Sequence, residues 1–180
     1  MPNWCENELV LTGAPADLAA FRRKAQGPNP FGEPALLTFH AFVPYPEGFL
    51  RLDKAHRAYG QVLAARKRIL GRVLSEQEVA ELKRELNPPA ASGYASGGYE
   101  WCLQHWGTRW DAYEATLEEG EQKLIYRFNT AWSPPLPVVE AMARQHPTLT
   151  LEFYYEEGLE GFEGYCRYVG GVAVEERSSD

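Results

Sequence analysis

The sequence predicts an α+β domain in which an antiparallel sheet carries helices on one face. Strand-like and helix-like segments alternate along the 180 residues, a pattern typical of packed layers of sheet and helix. The chain is 44% hydrophobic and 13% aromatic, enough to build one buried core. No apolar run is long enough to cross a membrane. We therefore expect a single domain over residues 1–180.

The first part of the chain predicts a strand, a helix and a second strand. Residues 3–12 alternate loosely between apolar and polar side chains, which is typical of a strand. Pro15 begins a helix whose apolar residues repeat at helical spacing on one face: Leu18, Phe21 and Ala25. Residues 35–43, which are followed by two prolines, predict a second strand.

Residues 47–87 differ in composition and predict a helical insertion. They are rich in Ala, Leu, Lys and Arg. Ser75 and Glu78 have the spacing of a capping box, in which the two side chains satisfy free amides at a helix start. Residues 88–99, rich in Pro, Ala, Ser and Gly, predict a flexible loop.

The next segment predicts a short helix followed by a hairpin. Residues 100–106 fit one helical segment that Gly107 ends. Residues 109–117 and 123–131 read as two strands joined around residues 118–121.

The last third predicts another helix and further strands. Ser133 fits the N-cap of a helix that runs to about His146. Alternating apolar residues then predict an inward strand face formed by Leu149, Leu151, Phe153 and Tyr155. Gly170-Gly171 predicts the turn of an additional C-terminal hairpin.

The order of elements favours a ferredoxin-like fold. If the insertion and the 109–117 arm are set aside, the remaining order is strand, helix, two strands, helix and strand. We therefore expect a ferredoxin-like antiparallel sheet with helices on one face, a helical insertion and an extra C-terminal hairpin.

Charge is distributed unevenly along this acidic chain of net charge −7. Residues 51–86 hold nine Lys/Arg and five Asp/Glu, a net +4, which leaves −11 for the remainder. The basic segment 51–72 is a candidate surface for nucleic acid. A solvated helix face is the favoured explanation, because charge runs of this size usually lie in water.

The cysteines and the first residues favour a cytoplasmic protein. Cys5, Cys102 and Cys166 are odd in number and far apart, so we expect free thiols. The first residues lack the basic and apolar regions of a signal peptide.

The candidate site is a tryptophan cluster at residues 101–111. Trp faces stack flat groups or cations, and His105 and Arg109 offer a titratable ring and a planar anion-binding fork. The favoured alternative is that the rings are core and that Arg109 pairs with Asp111. Asn3 could bind a ligand at the sheet end, although satisfying neighbouring backbone groups is the more common role of such a residue. The candidate pocket residues are Asn3, Trp4, Trp101, His105, Trp106, Thr108, Arg109, Trp110 and Asp111.

Other patterns give weaker indications. Cys102 and His105 have metal-like spacing, but four converging ligands are not evident, so no metal and no cofactor are expected. Five aromatic residues resemble an RNA-stacking sheet face: Phe153, Tyr154, Tyr155, Tyr165 and Tyr168. The glutamates of 156–163 would, however, repel phosphate. That acidic, aromatic surface suits a basic partner protein better.

Two motifs carry a family resemblance. Residues 1–7, Met-Pro-Asn-Trp-Cys-Glu-Asn, and residues 105–112, His-Trp-Gly-Thr-Arg-Trp-Asp-Ala, are similar to the YubB-type ferredoxin-like family of bacterial plasmids, phages and genomes. Arg109 stands where a lysine is expected, which keeps the positive charge. The resemblance implies a fold and an association with mobile elements, and it supplies no catalytic residues.

Three functional hypotheses follow, in order of preference. The first is a non-catalytic binding or protein-interaction module, whose partner is an unknown protein or a small anionic ligand. The second is a small enzyme for a phosphate-bearing or nucleotide-like substrate, with His105 as acid/base, Arg109 binding the anion and Asp111 orienting one of them. The third is nucleic-acid binding through residues 51–72.

Overall fold

A computed structural model describes residues 3–69, 75–78, 80–81 and 91–179. The chain divides into two compact units. The first comprises Met1–Pro44 and Glu100–Asp180, and the second comprises Tyr45–Tyr99. The second unit covers the predicted insertion and the loop after it.

The elements follow in chain order. They are β1 (Trp4–Thr12), α1 (Pro15–Ala25), β2 (Gly27–Pro28), β3 (Pro34–Ala35), a 3-10 turn (Phe39–Ala41), α2 (Glu47–Ile69), a second 3-10 turn (Tyr94–Ser96), α3 (Gly98–His105), β4 (Tyr113–Gly120), β5 (Lys123–Ala131), α4 (Leu136–Gln145), β6 (Thr150–Glu157), β7 (Phe162–Val169) and β8 (Val172–Ser179).

The first unit is built on a six-stranded sheet. Its strand order is β4–β5–β1–β6–β7–β8, and every neighbouring pair is antiparallel. The elements β1, α1, β4, β5, α4 and β6 form the ferredoxin-like unit, and β7 and β8 extend the sheet. The predicted fold class, including the C-terminal hairpin around Gly170-Gly171, is confirmed.

One predicted strand is wrong, and this changes which segments form the ferredoxin-like unit. Of residues 35–43, only Ala35 belongs to a strand, the short β3, and Phe39–Ala41 form a 3-10 turn. Phe39 and Phe42 are both buried, and their spacing of three places them on one side of that turn. A short apolar run does not distinguish strand from helical turn by periodicity alone. The second strand of the unit is therefore β4, part of the arm that the prediction had set aside.

Three boundaries also differ from the prediction. The first hairpin strand begins at Tyr113 rather than at residue 109. The hairpin turn lies at residues 121–122 rather than 118–121. Ser133 is not the N-cap of α4, which begins at Leu136. The Ser133 hydroxyl instead donates to the Gly107 carbonyl at 2.7 Å. Prolines before a helix make its start difficult to place.

In the second unit the predicted capping box is confirmed. The Glu78 carboxylate accepts from the Ser75 amide at 2.9 Å, and the Glu78 amide donates back to the Ser75 hydroxyl at 3.3 Å. Part of the predicted 88–99 loop is helical instead, because a 3-10 turn and the start of α3 fall within it. Residues 82–90 lie outside the described residues. In the described part of the chain no helix is both long and apolar enough to cross a membrane.

The two faces of the sheet differ in burial. One face, here called the helix face, is covered by α1 and α4 and holds buried residues from every other position: Cys5, Leu9, Leu11, Tyr126, Phe128, Leu151 and Phe153. The opposite face, here called the open face, carries the residues between them. Strand side chains alternate, so each strand supplies both faces.

Candidate functional site

The tryptophan cluster divides into a buried part and an exposed part. Trp106 is buried, and its indole N–H donates to the Val43 carbonyl at 2.9 Å. Trp101 is half-buried and stacks on His105, with ring centroids 4.4 Å apart. Trp110, in contrast, is 44% exposed. Trp106 is therefore part of the core, Trp101 is half-buried, and Trp110 is exposed to solvent.

The side chains of His105, Arg109 and Asp111 each contact a different partner. The His105 Nδ1–H donates to the Trp101 carbonyl at 2.9 Å. The Arg109 guanidinium lies 4.0 Å from the ring centroid of Trp132. The Asp111 carboxylate binds residues 38, 39 and 112, as described below. The hydrogen bonds and ring contact thus do not place the three side chains of the enzyme hypothesis around one reacting atom.

Asp111 joins the loop after α3 to the 3-10 turn. Its carboxylate accepts from the Thr38 hydroxyl at 2.5 Å, the Phe39 amide at 2.6 Å and the Ala112 amide at 2.9 Å. Burial raises the pKa of Asp111, while these three hydrogen bonds act in the opposite direction. Asp111 therefore anchors backbone, and the expected pairing with Arg109 is replaced by these contacts.

Two further contacts fix the same loop. Thr108 is fully buried, and its hydroxyl donates to the Ala131 carbonyl at 3.0 Å. Gly107 has a φ of +86°, and a Cβ there would lie 2.5 Å from the Pro137 side chain. Glycine is needed at this position for both reasons. The loop that carries Trp110 is thus held rigidly.

Asn3 and Trp4 lie beside the exposed part of the cluster. The Asn3 carbonyl accepts from the Trp132 amide at 2.9 Å. Trp4 stacks on Tyr113, with centroids 4.9 Å apart and planes 9° from parallel. Trp110 meets Trp132 at 5.7 Å. The four rings of Trp4, Trp110, Tyr113 and Trp132 are here called the aromatic corner.

The backbone is strained at this corner. Among the described non-glycine residues, positive φ values occur at Glu114 (50°) and Trp132 (64°). Both adjoin or belong to the aromatic corner. A bulky residue in this region costs on the order of 1–3 kcal/mol, and such strain tends to gather at binding sites.

The open face carries a groove that sequence reasoning had not located. Its volume is about 740 Å³, within the range of ligand sites. Tyr154 and Tyr165 contact each other in it, with ring centroids 4.7 Å apart. Of the five aromatic residues that suggested a stacking face, these two lie on the open face, while Phe153, Tyr155 and Tyr168 lie on the helix face.

Three glutamates lie side by side across this groove. Glu6 on β1 is opposite Glu156 on β6, which in turn is opposite Glu163 on β7. All three are exposed. We call them the acidic row. The sequence draws attention to the glutamates of 156–163, but only the strand register brings Glu6 beside them.

The acidic row differs from the rows next to it. In the adjacent row Glu8 pairs with Arg127 at 2.7 Å, and in the row beyond it Glu152 lies 3.8 Å from Arg167. The ion pairs of the described residues include none of the three glutamates of the acidic row. Like charges directly opposite each other in a sheet are destabilising. The groove is also lined by Arg127 and Arg177, but these two side chains pair with glutamates outside the row. The row itself therefore forms no ion pair with a described residue.

The cysteines do not form a metal site. All three are buried free thiols, and burial raises the pKa of Cys5 to about 12. Within the residues that the structure describes, no group of three or more His, Cys, Asp or Glu side chains could hold a metal ion.

The basic segment 51–72 is only partly described. Its described residues, 51–69, lie in α2, where Arg51, Lys54 and Arg57 are exposed. Residues 70–72 fall outside the described residues, so the predicted nucleic-acid surface stays a prediction.

Comparison with known proteins supports the fold. Residues 105–180 match the sequence profile of the family described as a ferredoxin-like domain in Api92-like protein. The crystal structure of protein api92 from Yersinia pseudotuberculosis is similar at a TM-score of 0.57 and 10% identity, over 100% of this chain and 99% of that chain. No curated protein matches. The C-terminal part of this chain thus resembles the ferredoxin-like domain of Api92-like proteins.

Proposed function

We propose that this protein is a non-catalytic interaction module that binds a basic segment of a partner protein on its open face. The acidic row carries the proposal, since three neighbouring carboxylates in a groove of about 740 Å³ form no ion pair with any described residue. A cationic segment would supply the missing counter-charges. The two cations that line the groove, Arg127 and Arg177, already pair with Glu8 and Glu175, so the three unpaired carboxylates disfavour nucleic acid there.

A peptide-binding assay tests the proposal. Hexalysine should bind the wild-type protein, more weakly as salt rises, because exposed charges are screened. A variant with Glu6→Gln, Glu156→Gln and Glu163→Gln should bind about ten-fold more weakly, since each exposed pair contributes ~0.2–1 kcal/mol. The measurement is fluorescence anisotropy of a labelled peptide.

A matched control separates the groove from net charge. Glu100, Glu121 and Glu160 are exposed, belong to the same unit as the sheet and do not line the groove. Replacing these three by Gln changes the net charge equally and should leave affinity within about two-fold. Equal loss in both triple variants, or tighter binding of an RNA oligonucleotide than of hexalysine, would contradict the proposal.

We also propose a mobile-element association and a cytoplasmic location. The described part of the first motif that resembles the YubB-type family comes close to the second motif, since Trp4 stacks on Tyr113 just after it. Three buried free thiols fit a reducing compartment. Co-purification from a bacterial host, followed by fractionation, would test both points, and recovery from the periplasm would contradict the second.

A further inference from the structure

We infer that the aromatic corner selects arginine over lysine in the bound segment, an inference that rests on the proposed function. Tyr113 is 49% exposed and Trp110 is 44% exposed, so both rings offer a face to a partner. Exposed aromatic residues held on a rigid frame are typical anchors of protein interfaces.

The corner is continuous with the acidic row. Tyr113 is opposite Asn129 on β5, and Asn129 is opposite Glu6 on β1. Trp4 precedes Glu6 by two residues and therefore shares its face of the sheet. A segment that lies along the acidic row would thus place its next side chain against Tyr113 and Trp4.

The contact that we infer already occurs within the protein. Arg109 lies 4.0 Å from the centroid of Trp132, on the neighbouring ring pair. A guanidinium is planar and weakly hydrated, so it stacks on a ring and still donates to a carboxylate. A lysine ammonium is compact and strongly hydrated, and gains less from the same surface. Glu6 lies in the same row as Tyr113, two strands away, and Glu114 follows Tyr113 in the chain.

The corner is also preorganised. The bonds of Asp111 and Thr108 hold the loop before Tyr113, and the Trp132 amide is bonded to Asn3. Little side-chain freedom remains to be lost when a partner binds, which favours affinity.

The experiment compares hexaarginine with hexalysine, two peptides of equal charge. Wild-type protein should bind hexaarginine about five-fold more tightly. Tyr113→Ala and Trp110→Ala should each weaken hexaarginine binding about three-fold and leave hexalysine binding unchanged. Tyr113→Phe keeps the ring and should keep the preference. Phe31→Ala removes an exposed aromatic residue elsewhere and serves as control.

The two proposals fail in different ways. If both peptides bind equally and both respond to the triple Gln variant of the acidic row, the arginine preference is wrong and the proposed function stands. If neither peptide binds, both proposals are wrong. A preference that survives Tyr113→Ala and Trp110→Ala would assign the selection to another surface and overturn the inference.

Discussion

The polar side chain of Asn7 on the helix face has hydrogen-bond partners within the protein, whereas the glutamates of the acidic row on the open face are exposed to water. On the helix face, Asn7 is almost fully buried, and its amide donates to the carbonyls of Cys5 at 2.8 Å and Phe128 at 3.2 Å. On the open face, Glu156 is exposed between two other glutamates. Burial forces a polar group to find partners, because an unsatisfied one is costly. Where polar groups stay unneutralised in water, they remain available to a ligand.

The largest expected effect contrasts two neighbours on β6. Phe153 is fully buried on the helix face, whereas Tyr154 is 44% exposed on the open face. Phe153→Ala should lower the free energy of unfolding by about 3–5 kcal/mol, since it leaves a cavity. Tyr154→Ala should cost below ~1 kcal/mol. Urea denaturation measures both, and similar losses would contradict the assignment of faces.

A smaller effect contrasts two kinds of carboxylate. Asp111 is satisfied by three donors, unlike the exposed acidic row. Asp111→Ala should lower the free energy of unfolding by about 1–3 kcal/mol, because buried donors lose their acceptor. Asp111→Asn keeps one acceptor oxygen for the two amides and should cost much less. Thermal denaturation of both variants tests the ranking, and equal losses would contradict it.

Asp111 also makes the stability of the folded protein depend on pH in a direction that follows from its pKa. Burial raises the pKa of Asp111 above its ordinary value of 3.8. The folded protein therefore holds this proton more tightly than the unfolded chain does. The resulting stability is fully present below pH 3.8 and is lost as pH rises through the folded-state pKa. As pH rises above 3.8, the free energy of unfolding of Asp111→Asn should thus increase relative to that of the wild type. A decrease would contradict a raised pKa of Asp111.

The smallest effect lies in the acidic row itself. Glu156→Gln removes the central charge between two opposed glutamates and should raise the free energy of unfolding by ~0.2–1 kcal/mol at low salt. The gain should shrink at high salt, because exposed charges are screened. Glu121→Gln, in a turn outside the groove, is the control and should change stability less. A destabilised Glu156→Gln protein would show that the row is not mutually repulsive.

Much of the fold was accessible from sequence because local patterns determined it. Pro15 and the spacing of Leu18, Phe21 and Ala25 located α1, and Gly170-Gly171 located the last hairpin. Residues 35–43 were mispredicted because Asp111, about seventy residues away, binds Thr38 and Phe39. A long-range contact of this kind leaves no local pattern.

The candidate site was predictable only in part for the same reason. Composition drew attention to Trp110 and Trp4, but their neighbours Tyr113 and Trp132 are placed by strand pairing and by an unusual φ. Likewise, Glu6 lies about 150 residues from Glu156 in sequence, and the register of β1 and β6 alone brings them together. The charge distribution along the sequence indicates that the chain outside residues 51–86 is acidic. It does not indicate that three glutamates form the acidic row.

The acidic row also bears on self-association. An exposed sheet face that carries Tyr113 and Tyr154 would otherwise favour contact with a second copy of the same chain. Two copies placed face to face would bring six like charges together, so the row opposes such stacking. Neutralising the row therefore has a second consequence besides weaker peptide binding, since concentrated protein then loses one barrier to aggregation.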